Sequence, residues 1–274
     1  MTFFYPYKLT INNDMDPTLE FAIKSQLLQQ SLSQTLTHFY PLAGRFKNDS
    51  IVDCNDNGVI FIESRTNSHL SDFLSHPDFT VIDSHFLPSS DPQTMEMSKG
   101  SMLLFRFILF GCGGTAISCS ASHKIMDLLS FVIFLRSWSS TCCGTTVPVF
   151  PDLNVATSRL PSINEMSQIP ASVVLSNKKL ASRRKGTFRP SIFIQTVNLR
   201  PRMDPPLPQN AMGNLAWLFP LVIIENEKDL EFVELVKTLM ATRLSLENKV
   251  KEFKGEGIVE AVKEGLKERE EHFE

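Results

Sequence analysis

The chain has 274 residues, of which 42% are hydrophobic and 21% charged, and its formal net charge is −3. This composition is typical of a globular protein with one large domain or two smaller ones, large enough to need no disulfide staples. There is no basic stripe for a nucleic-acid backbone and no uninterrupted apolar run of about 20 residues for a membrane span.

The cysteines indicate a reducing compartment. There are five of them, an odd number, and none forms a C-x-x-C pair, which argues against a zinc cluster or a disulfide framework. The first residues carry neither the basic region nor the apolar run of a secretory signal. We therefore expect a cytoplasmic monomer with no metal, no membrane partner and no nucleic-acid partner.

The first predicted element is an amphipathic helix. Asp16 and Pro17 are typical of an N-cap and a first helical residue, and the helix should end near Pro41. Its apolar residues recur at helical spacing and are expected to face the core. They are Ile23, Leu27, Leu28, Leu32, Leu36 and Phe39.

Strands are predicted to follow the helix. Residues 45–54 and 59–63 have strand-like patterns, and Asn57 and Gly58 between them are a turn signal. Residues 64–100 mix polar and apolar residues with several prolines, and no element is assigned to them.

A hairpin is the strongest prediction. Residues 103–110 and 115–122 flank a glycine-rich turn at 111–114, and their nearly continuous hydrophobicity predicts strands covered on both faces. A helix that runs through Leu135 and Trp138 should begin shortly afterwards.

The second half of the chain has weaker signals. Residues 147–162 contain three prolines and are expected to form a connecting loop, and 163–190 show no clear pattern. The remaining predicted elements are strands at 192–199 and 218–224, an amphipathic helix at 229–253 and a charged helical tail at 256–274.

The residues best suited to chemistry are His123 and Asp127. The histidine stands where a buried strand ends and a helix begins, which is a common position for site residues in open sheets. Its unperturbed pKa near 6.5 suits a general base that takes the proton of an alcohol or amine. Without further context, a hydrogen-bonded core or loop histidine is the more common interpretation.

Asp127 has its own alternatives. It is well placed to be a helix N-cap, and an N-cap can also rigidify a catalytic loop. The i, i+4 spacing of His123 and Asp127 could hold a metal, but no second His, Cys or Asp cluster supports that. A hydrolase that uses the same histidine would need a nucleophile, yet no G-x-S-x-G elbow and no phosphate-binding glycine loop occurs.

Several stretches together resemble the BAHD family of acyl-CoA-dependent acyltransferases, particularly its alkaloid O-acetyltransferase branch. The stretches are SLSQTLTHFYPLAGR at 31–45, VDCNDNGV at 52–59, SHKIMD at 122–127, VNLRPRM at 197–203 and PPLPQNAMGN at 205–214. SHKIMD looks like the H-x-x-x-D motif of that family.

The resemblance implies an α/β, chloramphenicol-acetyltransferase-like fold of two domains with a channel between them. Mapped onto this chain, it gives an N-terminal domain at 1–175, a shortened crossover at 176–190 and a partial C-terminal domain at 191–274. The N-terminal domain should lack its first strand. The family's Asp-Phe-Gly-Trp-Gly signature does not occur, so the C-terminal domain should be truncated.

The resemblance also implies roles. His123 is expected to be the general base, while Asp127 stabilises the catalytic loop through an ion pair, for which Arg200 is the predicted partner. Acyl-CoA, most simply acetyl-CoA, is the co-substrate, and a small-molecule alcohol of plant specialised metabolism is the acceptor. No bound cofactor is expected, and the residues that hold acyl-CoA are unknown. The alternative is a catalytically inactive homologue.

Leu128 departs from the family pattern, since many members have glycine after the motif aspartate. Its bulk is expected to alter the backbone beside the motif.

Overall fold

A computed structural model gives the fold. It describes residues 1–5, 16–48, 51–75, 78–90, 94, 100–144, 149–155, 158, 191–224, 233, 236–237 and 240. They belong to two compact units, Met1–Pro151 and Asp152–Glu274, which are treated separately. The predicted crossover, the unassigned segment 163–190 and the charged tail lie outside the described residues.

Helix α1 spans Pro17–His38 and is followed by a 3-10 turn at Tyr40–Ala43. Asp16 is its N-cap, as predicted, because its side chain accepts a hydrogen bond from the amide of Thr18 at 2.9 Å. The predicted apolar stripe is only partly correct. Leu32, Leu36 and Phe39 are buried, whereas Ile23 is 37% exposed and Leu27 is 50% exposed.

Polar residues explain that difference. Ser25, Ser31 and Thr35 occupy part of the buried face of α1. The hydroxyls of Ser31 and Thr35 donate to backbone carbonyls one turn earlier, so they are buried with hydrogen-bond partners. The buried face is therefore rotated away from the one that apolar spacing alone predicts.

A four-stranded sheet organises the first unit in the order β1-β6-β5-β4. Its strands are β1 Thr2–Tyr5, β4 Ile60–Thr66, β5 Leu103–Phe110 and β6 Thr115–Ala121. Only the β4–β5 pair is parallel. The predicted hairpin is confirmed, and both faces of β5 are covered because adjacent residues Leu103, Leu104 and Phe105 are all buried.

The hairpin turn depends on glycine. Gly113 has φ 82°, in the left-handed region that suits a residue without a Cβ, and its amide donates to the Phe110 carbonyl at 2.9 Å. The Phe110 amide in turn donates to the Gly114 carbonyl at 2.9 Å, which closes the turn.

The predicted strand at 45–54 is instead a small hairpin. Strands β2 Arg45–Phe46 and β3 Val52–Asp53 pair antiparallel in a separate sheet. Gly58 has φ 72°, as its turn signal predicts, but β3 does not pair with β4, so this turn closes no hairpin. Arg45 holds it, since its guanidinium donates to the carbonyls of Asn57 and Gly58.

Two short helices lie in the unassigned region. Helix α2 spans Leu70–Ser75 and α3 spans Phe79–Phe86, followed by a 3-10 turn at Pro88–Ser90. They lie in the crossover that joins the parallel strands β4 and β5. They pack a small core cluster against the sheet: Leu70, Ile82, Phe86, Ile108, Phe110 and Ala116.

Helix α4 spans Leu128–Cys143 and ends at Gly144, whose left-handed φ of 62° terminates it. Its buried face carries Phe134 and Trp138, which contact the ring of Phe105 on the sheet. The Trp138 indole N–H donates to the Leu28 carbonyl and the Ser31 hydroxyl of α1, at 3.2 and 3.0 Å. Helices α1 and α4 are thereby joined directly to each other on one face of the sheet.

The second unit contains the two predicted strands, β7 Ser191–Asn198 and β8 Ala216–Ile224, and the structure shows that they pair antiparallel. The predicted loop at 147–162 includes a helical turn, since Asp152 accepts hydrogen bonds from the amides of Asn154 and Val155. In the predicted helix at 229–253, the four described residues are helical: Val233, Val236, Lys237 and Met240. Across the described part of the chain, no helix is long and apolar enough to span a membrane.

Candidate active site

The His123 turn, residues 122–127, connects the end of β6 to the start of α4. Cys119, on β6, is 1% exposed, whereas His123 is exposed four residues later. The predicted position at the boundary between a buried strand and a helix is confirmed. An imidazole placed there can be reached from solvent, as a general base for a small-molecule substrate must be.

Backbone hydrogen bonds hold this turn to the sheet. The Ser122 amide donates to the Met102 carbonyl at 2.8 Å, and the Ile125 amide donates to the Ser122 carbonyl at 3.3 Å. Met126 is 3% exposed and anchors the far side of the turn in the core. The exposed histidine therefore projects from a backbone that is held on both sides.

Lys124 makes a further contact that the sequence did not indicate. Its Nζ lies 5.6 Å from the ring centroid of Phe46, a cation–π geometry that joins the turn to β2. Hairpin β2–β3 is itself fixed near the sheet, because the Phe46 amide donates to the Gly100 carbonyl at 3.1 Å. The contact could not be predicted from the sequence, because residues 46 and 124 lie far apart in the chain and share no local pattern.

Asp127 is the N-cap of α4. Its carboxylate accepts a hydrogen bond from the Ser130 amide at 2.8 Å, and its carbonyl accepts from the Phe131 amide at 3.0 Å. The residue is only 5% exposed. The capping interpretation is confirmed, and it gives the carboxylate a structural task at the end of the His123 turn.

Leu128 does not distort the motif. It is the first residue of α4, in helical conformation, and its side chain is 62% exposed. Asp127 before it has φ −83° and ψ 175°, which is ordinary extended backbone. Because neither residue adopts the left-handed region, glycine is not required here and the expected distortion is absent.

Arg200 lies in the second unit, in the Arg200 loop, residues 199–215. It is 1% exposed, and its Nε donates to the Ala211 carbonyl at 2.9 Å. Its terminal nitrogens donate to the Asn198 side chain at 3.2 Å and to the Gly213 carbonyl at 3.4 Å. The guanidinium therefore crosslinks the loop.

Asn198 was not identified from the sequence. Its side-chain oxygen accepts from both the backbone amide and the guanidinium of Arg200. An asparagine two residues before the amide it binds is a local turn signal that could have been recognised. The ion pair between Asp127 and Arg200 stays a prediction, because the two units are described separately.

Comparison with known proteins identifies the family to which this chain is similar. The model of the Transferase family matches residues 3–180. Vinorine synthase of Rauvolfia serpentina is 33% identical over 90% of this chain and 68% of its own sequence. Stemmadenine O-acetyltransferase of Catharanthus roseus is also 33% identical, over 88% of this chain and 68% of its own.

Solved structures agree on the fold. The crystal structure of vinorine synthase matches 88% of this chain and 66% of its own with a TM-score of 0.67 and 32% identity. TRI101 of F. graminearum, in complex with coenzyme A and T-2 mycotoxin, matches 97% of this chain and 74% of its own with a TM-score of 0.55. At 12% identity, TRI101 shows the fold alone.

The predicted chloramphenicol-acetyltransferase-like α/β fold is therefore confirmed, and the chain spans about two thirds of the length of these relatives. With the family model covering more than half of its residues and vinorine synthase aligned over most of its length, the chain belongs to the BAHD family of acyl-CoA-dependent acyltransferases.

Proposed function

We propose that this protein transfers an acyl group, most simply acetyl, from acyl-CoA to a hydroxyl of a plant specialised metabolite of the alkaloid class. The observation that carries the proposal is the exposed His123, held on a turn whose two ends are anchored in the first unit. The activities for which related proteins are named, such as that of stemmadenine O-acetyltransferase, support the acetyl group and the alkaloid class.

In the proposed reaction, the His123 imidazole takes the proton from the acceptor hydroxyl while the oxygen of that hydroxyl attacks the thioester carbonyl carbon. A tetrahedral adduct forms, and the C–S bond then breaks. The departing coenzyme A sulfur receives the proton from the imidazolium, which returns His123 to its neutral form. Positioned proton transfer of this kind typically accelerates a reaction by about 10²–10⁴-fold.

The other two predicted site residues, Asp127 and Arg200, would position the His123 turn. Asp127 caps α4 and so fixes the end of the His123 turn. We propose that its carboxylate also pairs with Arg200, which would connect the turn to the Arg200 loop. Acyl-CoA is the proposed co-substrate, supported by the coenzyme A in a protein of the same fold. A cytoplasmic, monomeric enzyme is part of the same proposal.

The test is ester formation by the purified chain with acetyl-CoA and a panel of alkaloid alcohols, followed by mass spectrometry. We expect His123→Ala to lower the rate about 10²–10⁴-fold. The matched control is His69→Ala, because His69 is an exposed turn histidine before α2. Equal rates for the two variants would contradict the role of His123.

The alternative is a non-catalytic homologue. It would be supported if the folded wild-type chain formed no ester with any acceptor. A second measurement separates binding from chemistry, since acetyl-CoA that binds only the folded state raises the unfolding free energy, by about 2.7 kcal/mol at 100 times its dissociation constant. Stabilisation by acetyl-CoA without acyl transfer would indicate that the protein binds the thioester but does not catalyse the reaction.

A further inference from the structure

The first unit contains a concave site that His123 and Asp127 do not line. This α1–α4 cleft has a volume of about 640 Å³ and lies between α1, α4 and the strands β1, β5 and β6. Its volume is within the range of about 300–1,000 Å³ that is typical of small-molecule sites. Its walls are mostly apolar, and they include Leu27, Leu28, Ile117, Val132 and Leu135.

Apolar side chains that the protein leaves exposed on α1 and α4 line this cleft. Leu27 is 50% exposed and Val132 is 36% exposed, and both line the cleft. Apolar side chains exposed together in a concavity lose contact with water when a ligand enters, which favours binding of an apolar molecule. A single exposed leucine would need no such explanation.

The charges at the cleft select the kind of ligand. Of the described residues that line it, Lys24 and Arg136 have charged side chains, and both are basic. Lys24 forms an ion pair with Glu20 on its own helix, so its charge is already partly compensated. Arg136 is exposed on α4 and lies one turn from Val132 and Ser139, which also line the cleft. Its guanidinium can therefore face a ligand along the same side of the helix.

We propose that the α1–α4 cleft binds an aliphatic carboxylate, with the hydrocarbon chain along the apolar walls and the carboxylate at Arg136. A guanidinium presents paired N–H donors that match the two oxygens of a carboxylate. Among the residues that the structure describes, no acidic side chain lines the cleft, and the Glu20 carboxylate next to it is paired with Lys24. This site is separate from the proposed catalytic turn and does not require the chain to be an active transferase.

The direct test is calorimetric titration of the folded chain with laurate below its micelle concentration, alongside uncharged methyl laurate. We expect saturable binding of laurate and at least ten-fold weaker binding of the ester. Arg136→Gln should weaken laurate binding about ten-fold and leave the ester unchanged. Lys47→Gln is the charge-matched control, because Lys47 is an exposed cation that does not line the cleft.

A second pair of variants tests the location. Ser139 is exposed and lines the cleft, so Ser139→Trp should fill it and abolish laurate binding without disturbing the core. Gln30→Trp adds the same bulk on α1 at an exposed residue that does not line the cleft and should bind normally. Circular dichroism and cooperative unfolding of each variant establish that it is folded.

The cysteines give an independent readout. Cys142 and Cys143 are exposed and line the cleft, whereas Cys54 is exposed elsewhere. Laurate should slow alkylation of the first two and leave the rate at Cys54 unchanged. The same protection should persist in His123→Ala, which separates this site from the proposed catalysis.

Three results would overturn the proposal. They are equal affinity for laurate and its methyl ester, laurate binding that is unaffected by Arg136→Gln or Ser139→Trp, and no saturable binding by the folded chain. Dimerisation that Ser139→Trp disrupts, without laurate binding, would assign the cleft to a second copy instead.

Discussion

In the His123 turn the imidazole is exposed while Met126 and Asp127 are buried, whereas in the Arg200 loop Arg200 itself is 1% exposed. The first arrangement leaves a side chain available to an external reagent. The second uses a side chain to satisfy the carbonyls of its own loop. Both segments have a polar residue shortly after a strand, so burial and hydrogen-bond partners, rather than position along the chain, distinguish an accessible side chain from one that holds its own loop.

The largest effect is expected at Arg200. Replacing it by methionine would keep apolar volume but leave the Ala211 and Gly213 carbonyls without their guanidinium donors. Each buried unsatisfied group costs ~1–3 kcal/mol, so we expect a loss of about 2–5 kcal/mol in the free energy of unfolding. Denaturant unfolding measures this.

Arg202→Met is the matched control, because Arg202 is exposed two residues later and should change stability little. Equal stability of the two variants would show that the buried guanidinium does not hold the Arg200 loop.

A pH titration tests whether Cys119, four residues before His123, is buried in the folded protein. Desolvation raises the pKa of the Cys119 thiol from 9.0 to about 11. The thiol ionises at lower pH in the unfolded state than in the folded state. Its contribution to the free energy of unfolding is therefore fully present below pH 9 and is lost as the pH rises through about 11. At about 1.4 kcal/mol per pKa unit, the full loss is about 2–3 kcal/mol.

The unfolding free energy of the wild type and Cys119→Ala, compared between neutral and strongly alkaline pH, isolates this thiol from other titrating groups. Parallel curves would mean that β6 is more open at Cys119 than the structure shows.

Two variants of Asp127 separate its role as a helix N-cap from the role of its negative charge. Asp127→Ala should cost ~0.5–2 kcal/mol of stability because the Ser130 amide loses its acceptor, whereas Asp127→Asn should keep most of the cap. Unfolding and acyl transfer are measured for both variants. An asparagine variant that is stable but slow would support the proposed charge pairing with Arg200, and one that is stable and fully active would contradict it.

The smallest effect is expected at Lys124. Replacing it by methionine removes the cation above Phe46 and should cost about 0.5–1 kcal/mol at this exposed position, while Lys124→Arg keeps the interaction. Amide hydrogen exchange of residues 122–125 reports whether the His123 turn loosens. Unchanged exchange in the methionine variant would show that backbone hydrogen bonds alone hold the turn.

Local patterns predicted the elements that depend on local chemistry. The helix starts at Asp16 and Asp127 followed from capping, and the β5–β6 hairpin followed from two apolar runs around a glycine turn. Residues 45–54 were less predictable because a two-residue strand has too few positions to show a period. In α1 the polar residues that found backbone partners shifted the buried face.

The sequence by itself determined the family, through its motifs, and the placement of His123 between a strand and a helix, because both are properties of neighbouring residues. Only the tertiary structure decided that His123 is exposed, that Arg200 is buried, that Lys124 contacts Phe46 and that α1 and α4 form a cleft with the sheet. Those features depend on contacts between residues far apart in the chain, and such contacts leave no periodic signal in any one segment.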